Sequence, residues 1–146
     1  MHPKMNGRRI LLVDDYPDVL QVWSASLNAL GYDVLTANTG EQGLEVAQSE
    51  LPEAIVLDLD LPGISGCELA RILKRLPATG AIPLIAATGT SYAPRLDEAR
   101  RSGFDVILIK PCDVADLVIE IEKLLDHPVA AARARVPSGK RHAKSG

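Results

Sequence analysis

The sequence predicts a doubly wound α/β domain of five successive strand–helix units, (βα)5. Two observations carry this class: five short apolar runs recur along the chain, and segments with helical spacing separate them. Several of the runs lack polar alternation, which suits strands of a parallel sheet covered by helices on both faces. Regular alternation of strand and helix selects this class over bundles and sandwiches, with right-handed crossovers. A length of 146 residues fits one domain with a full-sized core.

The elements follow in order. The first run, "RILLVDD", ends at Asp15. Pro17 to Leu30 then places Val19, Leu20, Trp23, Leu27 and Leu30 near one helical face, with Gly31 where a C′ residue belongs. "DVLTA" (33–37) is the second strand, and Gly40 to Ser49 forms a helix with Leu44 and Ala47 on its stripe. "AIVLD" (54–58) is the third strand. Cys67 to Leu76 is the third helix, with Leu69, Ala70, Leu73 and Leu76 inward and Pro77 as its stop. "PLIAAT" (83–88), a short helix from Ala93 to Arg101, and "DVILIK" (105–110) come next. The last helix runs from Asp113, an N-cap, to Leu125, with Leu117, Ile121, Leu124 and Leu125 inward.

Composition narrows the function classes. Aromatics make up only 3%, so the core is aliphatic. No apolar run approaches the roughly 20 residues that span a bilayer, and "MHPKMNGRR" lacks the apolar stretch of a signal peptide. Two cysteines in no metal spacing indicate a reduced, cytoplasmic setting. Residues 127–146 carry five bases and no acid, which leaves eleven of the 16 bases against all 19 acids in residues 1–126. An acidic body with a basic tail is not the pattern of a DNA-binding domain. The expected organisation is an N-terminal extension (1–7), one domain (8–126) and a disordered, solubilising tail (127–146).

In doubly wound sheets, ligands sit beyond the carboxyl ends of the strands. The first strand ends in Asp14 and Asp15, the third in Asp58, the fourth in Thr88 and the fifth in Lys110 followed by Pro111. The second ends in Ala37 and adds nothing. Three carboxylates brought together repel. A divalent cation relieves that repulsion, and an all-oxygen acidic set without His or Cys suits Mg²⁺. Such a metal beside a lysine and a threonine is arranged to hold a phosphoryl group, and a carboxylate can serve as the nucleophile that receives it.

The set "LLVDD", "VLDLDLPGISG", "AATG" and "LIKP" resembles the receiver domain of two-component response regulators over about residues 8–126. The resemblance implies a flavodoxin-like sheet of strand order 2-1-3-4-5. It implies that Asp58 accepts phosphate from the phosphohistidine of a sensor histidine kinase or a histidine phosphotransfer protein. Asp15 is then a direct Mg²⁺ ligand with Asp58 and the backbone carbonyl of Asp60, and Asp14 acts mainly through water. Thr88 and Lys110 contact the phosphoryl oxygens, the Lys110–Pro111 bond is cis, and the N–H groups of Asp60 and Gly89 complete the cradle. The small Gly89 leaves the pocket open.

Many receivers carry an aromatic residue three before the site lysine; here that position is Ile107. Movement of Thr88 is retained as the expected switch, and the aromatic half is dropped. The surface of the fourth helix, fifth strand and fifth helix is the expected output face. After Leu125 the remaining residues are too few and too polar for a DNA-binding fold, so a stand-alone receiver is expected, a switch, relay or sink with the possibility of dimerising on phosphorylation. It is not an enzyme on other substrates. An unidentified protein is its downstream target, with no DNA or membrane contact.

Simpler roles exist for each residue. Asp14–Asp15 alone suit a helix cap before Pro17, Thr88 alone suits a cap, and Lys110 alone suits a snorkelling strand end. Their coincidence at four strand ends favours a site. Cys67 and Cys112 read as small hydrophobes, and Trp23 as core. His2, His127 and His142 lie near the chain ends, so a phosphoacceptor histidine belongs to the partner. Two other functions were weighed. "DLDLP" contains the Asp-x-Asp of haloacid dehalogenase-type phosphatases, with Asp58 and Asp60 as nucleophile and acid/base, but Pro62 and the unexplained Asp14–Asp15 oppose it. A phosphorylation-independent binding module is opposed by the intact Asp58, Thr88 and Lys110.

Overall fold

The computed structural model describes residues 7–126. The strands are β1 (Arg9–Val13), β2 (Asp33–Ala37), β3 (Ala54–Leu57), β4 (Leu84–Thr88) and β5 (Val106–Ile109). Alternating with them are α1 (Pro17–Ala29), α2 (Gly40–Glu50), α3 (Gly66–Arg75), α4 (Ala93–Ser102) and α5 (Val114–Asp126). The strands form one parallel sheet in the order β2-β1-β3-β4-β5, the expected flavodoxin-like arrangement. The expected tail, 127–146, lies outside the described residues, as do the three histidines.

Successive residues of each strand feed two separate cores. Leu11, Val13, Ile55, Leu57, Leu84 and Ala86 meet Ala47, Leu69, Leu73 and Ala99 on the face covered by α2, α3 and α4. Ile10, Leu12, Ala54, Val56, Ile85 and Ala87 meet Leu27, Leu117 and Ile121 on the face covered by α1 and α5. Burial on both faces explains why these strands read as unbroken apolar runs. Each fully buried Leu or Ile contributes about 1.5–3 kcal/mol relative to exposure.

Local chemistry sets the helix ends. α1 opens on Pro17, whose fixed φ suits a first turn. α3 opens one residue earlier than the spacing predicts. Ser65 accepts from the Glu68 N–H at 3.1 Å while the Glu68 carboxylate accepts from the Ser65 N–H, a complete capping box. α3 stops at Leu76, which is held extended by the following Pro77. At α5 the expected cap is only half right. Asp113 occupies the backbone position, with its carbonyl accepting from Leu117 at 3.3 Å, but the capping carboxylate is that of Asp116, which accepts from the Asp113 N–H at 3.2 Å.

One core expectation fails. Leu30 is 42% exposed, because α1 ends at Ala29 and the chain turns through Gly31 at φ 99°. Tyr32, only 3% exposed, fills the place instead, with its N–H donating to the Leu27 carbonyl at 3.1 Å. Burial first, then the charge of Glu122, pushes the Tyr32 hydroxyl up to about 12.

The register levels the strand ends. Val13 pairs with Ala37 and Leu57, so Asp14 and Asp58 leave the sheet side by side; Thr88 pairs with Ile109, one residue before Lys110. Gly66 then sets how closely α3 approaches this edge. A Cβ there would strike the Asp58 carbonyl oxygen and the Leu59 Cα. Gly66→Ala is expected to destabilise the protein by about 1–3 kcal/mol through overpacking. Urea unfolding measures this; an unchanged midpoint would mean that the loop yields freely.

Candidate functional site

Hydrogen bonds that extend the sheet past its last strand residues hold the site. The Asp58 N–H donates to the Val13 carbonyl at 2.9 Å, the Asp14 N–H to the Ala37 carbonyl at 3.1 Å, and the Lys110 N–H to the Thr88 carbonyl at 2.7 Å. The second strand therefore contributes a backbone acceptor, which its apolar last residue does not announce. These bonds bring Asp14, Asp15, Asp58, Thr88 and Lys110 to one edge, as their positions in the sequence predict.

Asp14 and Asp58 are each only 5% exposed. The Asp14 Oδ1 accepts from the Tyr16 N–H at 2.9 Å, and its Oδ2 accepts from the Lys110 ammonium at 2.7 Å. The Asp58 Oδ1 accepts from the Asp60 N–H at 3.0 Å, and its Oδ2 lies 3.8 Å from the Lys110 Nζ. Burial is the main cause that raises the Asp58 carboxyl above its ordinary value. The charges of Asp14 and Asp60 add to it, and together they outweigh the Asp60 N–H and the Lys110 ammonium. Burial pulls the Lys110 ammonium down, but its hydrogen bond to Asp14 and the Asp58 charge turn the net shift upward. Lys110 is a fixed cation at neutral pH.

Asp15 completes the cluster. Carboxylate oxygens of Asp14, Asp15 and Asp58 all lie within 4.8 Å of one another. The Asp15 Oδ1 is buried with no hydrogen-bond partner, a costly state for a carboxylate. Three converging carboxylates, one of them orphaned, fit a hard divalent cation such as Mg²⁺. Lys110 is already committed to Asp14, which leaves Asp15 as the group still to be satisfied.

Thr88 is fully buried, and its hydroxyl accepts from the Thr90 N–H at 3.1 Å. Its own proton remains to donate. Gly89 is exposed, with nothing within 4 Å of where a Cβ would stand, so the approach beside Thr88 is open. The Lys110–Pro111 bond is cis. Ile107 is partly buried against the α2–α3–α4 core. Trp23 packs against the opposite core and, with Leu12, Val19 and Leu20, lines a small hollow that also reaches Asp14 and Asp58. Cys67 is buried and Cys112 half-buried, and burial raises both thiols, which makes them poor nucleophiles.

The Asp60 side chain turns away from the acidic cluster toward α4. Its exposed carboxylate accepts from the Arg95 guanidinium of α4 at 2.7 Å. The hydrogen bond to Asp60 is the main cause that raises Arg95. Glu41 of α2 braces the same loop from the other side, accepting from the Ile64 N–H at 3.3 Å. Neither brace is legible in the sequence. Both join residues at least 23 positions apart with no periodic or motif signature.

Known proteins place this architecture. The chain matches the response regulator receiver domain over residues 10–122. It is 35% identical to the phosphate regulon transcriptional regulatory protein PhoB of Pseudomonas aeruginosa, over 83% of this chain and 53% of that protein. It is 33% identical to protein PilH of the same organism, over 80% of this chain and 97% of that protein. The chain thus spans about half the length of PhoB and nearly all of PilH. The solved receiver domain of sensor histidine kinase PA1611 from Pseudomonas aeruginosa has a magnesium ion coordinated in its active site cleft. It superposes with a TM-score of 0.77 at 28% identity, covering 82% of this chain and 98% of that one. With a parallel 2-1-3-4-5 sheet, acids and a lysine at its carboxyl edge, and a match across most of its length, the chain belongs to the response regulator receiver domain family.

Proposed function

We propose that Asp58 is the phosphoacceptor of this receiver. The observation that carries the reading is the strand-end cluster in which Asp58 faces Lys110 beside two further carboxylates, one of them orphaned. A phosphohistidine of a sensor histidine kinase or a histidine phosphotransfer protein is the donor. One Asp58 carboxylate oxygen attacks phosphorus, the P–N bond to imidazole breaks, and an acyl phosphate and a free histidine result. Lys110 is placed to move from Asp14 toward the arriving phosphoryl oxygens, and the Thr88 hydroxyl to donate to one of them. The N–H groups of Asp60, which donates to the Asp58 Oδ1 at rest, and of Gly89 then turn to the others.

Asp14, Asp15, Asp58 and the Asp60 backbone carbonyl are the groups that would hold Mg²⁺, with Asp15 direct and Asp14 mainly through water. When bound, the ion supplies charge neutralisation for the carboxylates and the transferred phosphoryl oxygens. The receiver then acts as a cytoplasmic switch, relay or sink. It catalyses only its own phosphorylation and dephosphorylation. Among the described residues no helix is long and apolar enough to cross a membrane. The added phosphoryl charge biases the α4–β5–α5 face toward a protein target or a second copy.

Acetyl phosphate with Mg²⁺ is expected to add one phosphoryl group to the full chain, and Asp58→Asn or EDTA to abolish it. Intact-mass and peptide mass spectrometry decide the matter; an adduct persisting in the Asn variant would refute the assignment. Mg²⁺ alone is expected to change the emission of Trp23, the chain's single tryptophan. Asp15→Asn should weaken that titration by at least about tenfold, the loss typical even of outer-shell partners. Equal midpoints would remove Asp15 from the ligand set.

The raised Asp58 carboxyl also has a stability consequence. Its unfolded value is near 3.8 and its folded value is higher, so the folded state keeps a proton that the unfolded state has released. Stability therefore falls as pH climbs from 3.8 through the folded value, and the penalty is complete above it. Asp58→Asn is expected to stabilise the metal-free protein by about 0.5–2 kcal/mol at neutral pH, with the gain vanishing below the unfolded value. Thermal melts across pH in EDTA test this; a destabilised variant at pH 7 would contradict it.

A further inference from the structure

Asp60 and Arg95 connect the acceptor to α4. The Asp58 Oδ1 accepts from the Asp60 N–H at 3.0 Å, and the Asp60 Oδ1 accepts from the Arg95 guanidinium at 2.7 Å. Two hydrogen bonds thus run from the acceptor carboxylate to the first turn of α4. Packing holds that turn weakly. The buried residues of α4 are Ala99 and Ser102, both in its second half, and Tyr92 supplies no side-chain cap. The far end is anchored by Arg71, which donates to the Ser102 hydroxyl at 3.0 Å, and by Gly103 in the left-handed conformation. By contrast, α3 opens on a capping box and buries Gly66, Cys67 and Leu69 in its first turns.

We propose that the Asp60–Arg95 pair is a resting-state clamp: it holds the first turn of α4 to the acceptor loop while Asp58 is unmodified, and it loosens when Asp58 is loaded. Arg95 is then a positioning residue that acts through Asp60. The inference rests on Asp58 as acceptor. Loading draws the Asp60 N–H from the Asp58 Oδ1 toward the arriving phosphoryl oxygens, and so shifts the backbone that aims the Asp60 carboxylate at Arg95. It also turns the single carboxylate charge of Asp58 into about two on the acyl phosphate, a net gain of about one negative charge that repels the Asp60 carboxylate two residues away. Both effects favour separation of the pair in the loaded state. By linkage, whatever loading does to the pair, the pair does to loading.

The test uses the full chain with beryllofluoride and Mg²⁺ as the phosphoryl mimic. Calorimetry reports affinity, and hydrogen exchange reports the amides of α4. Arg95→Met is expected to bind the mimic about two- to fivefold more tightly, the range that an exposed ion pair can supply. Its first-turn amides should exchange faster at rest and change little on loading. Asp60→Asn should reproduce the gain, the double variant should add nothing further, and Arg95→Lys should fall between. A surface pair of only structural consequence would not move affinity for the mimic. Wild-type affinity in Arg95→Met, or wild-type α4 exchange indifferent to loading, would overturn the clamp alone. Failure of the wild-type protein to bind the mimic at all would overturn both the clamp and the assignment of Asp58.

Discussion

The contact between the Lys110 ammonium and the Asp14 carboxylate at 2.7 Å makes the rest of the edge tenable. Three strands of a parallel sheet deliver Asp14, Asp15, Asp58 and Lys110 to one small volume, and two of the carboxylates are almost sealed from water. Buried like charges are costly, and burying them without a cation would favour protonation or unfolding. Lys110 neutralises one of them from the neighbouring edge of the sheet. Its reach to Asp58, at 3.8 Å, is a looser approach. The Oδ1 of Asp15 is left without a partner, and Asp58 is left with a proton affinity above the ordinary. Both residual imbalances lie where the chemistry is expected, so the site is a place where the fold has not minimised its own energy.

The loop from Asp58 to Gly66 carries the consequences outward. It is braced at Ile64 by Glu41 of α2 and at Asp60 by Arg95 of α4, and Gly66 lets it lie against α3 with no room for a side chain. Asp58 therefore belongs to a segment whose position depends on three helices at once. Thr88 lies on the neighbouring strand, and Gly89 beside it leaves open space rather than another wall. A braced Asp58 beside an open flank leaves the cluster approachable from outside.

What could be read from the sequence follows from the physics of parallel sheets. Strands covered on both faces are unbroken apolar runs, so their ends are sharp, and a polar residue at or just beyond an end is conspicuous, as Asp14, Asp58, Thr88 and Lys110 are. Helices were legible from spacing, but their first residues depended on caps. Ser65 stands out as a cap only when read together with Glu68 three residues on, and Leu30 falls outside the core because α1 yields to Gly31 one residue earlier than the spacing suggests. Tyr32 and Arg95 were beyond reach. The burial of Tyr32 depends on the turn that precedes β2, and the partner of Arg95 lies 35 positions away on another element. Contacts of that kind are created by tertiary packing and leave no local pattern.

The two cores leave the strands no slack. Leu11, Val13, Ile55 and Leu57 serve one side of the sheet, and Ile10, Leu12, Ala54 and Val56 the other. Adding or deleting a single residue inside β1 or β3 would exchange the inhabitants of the two cores and carry the acidic terminus of that strand out of line with its neighbours. Length variation in this protein must therefore be confined to the opposite rim of the sheet and to the connections there, far from the carboxylates.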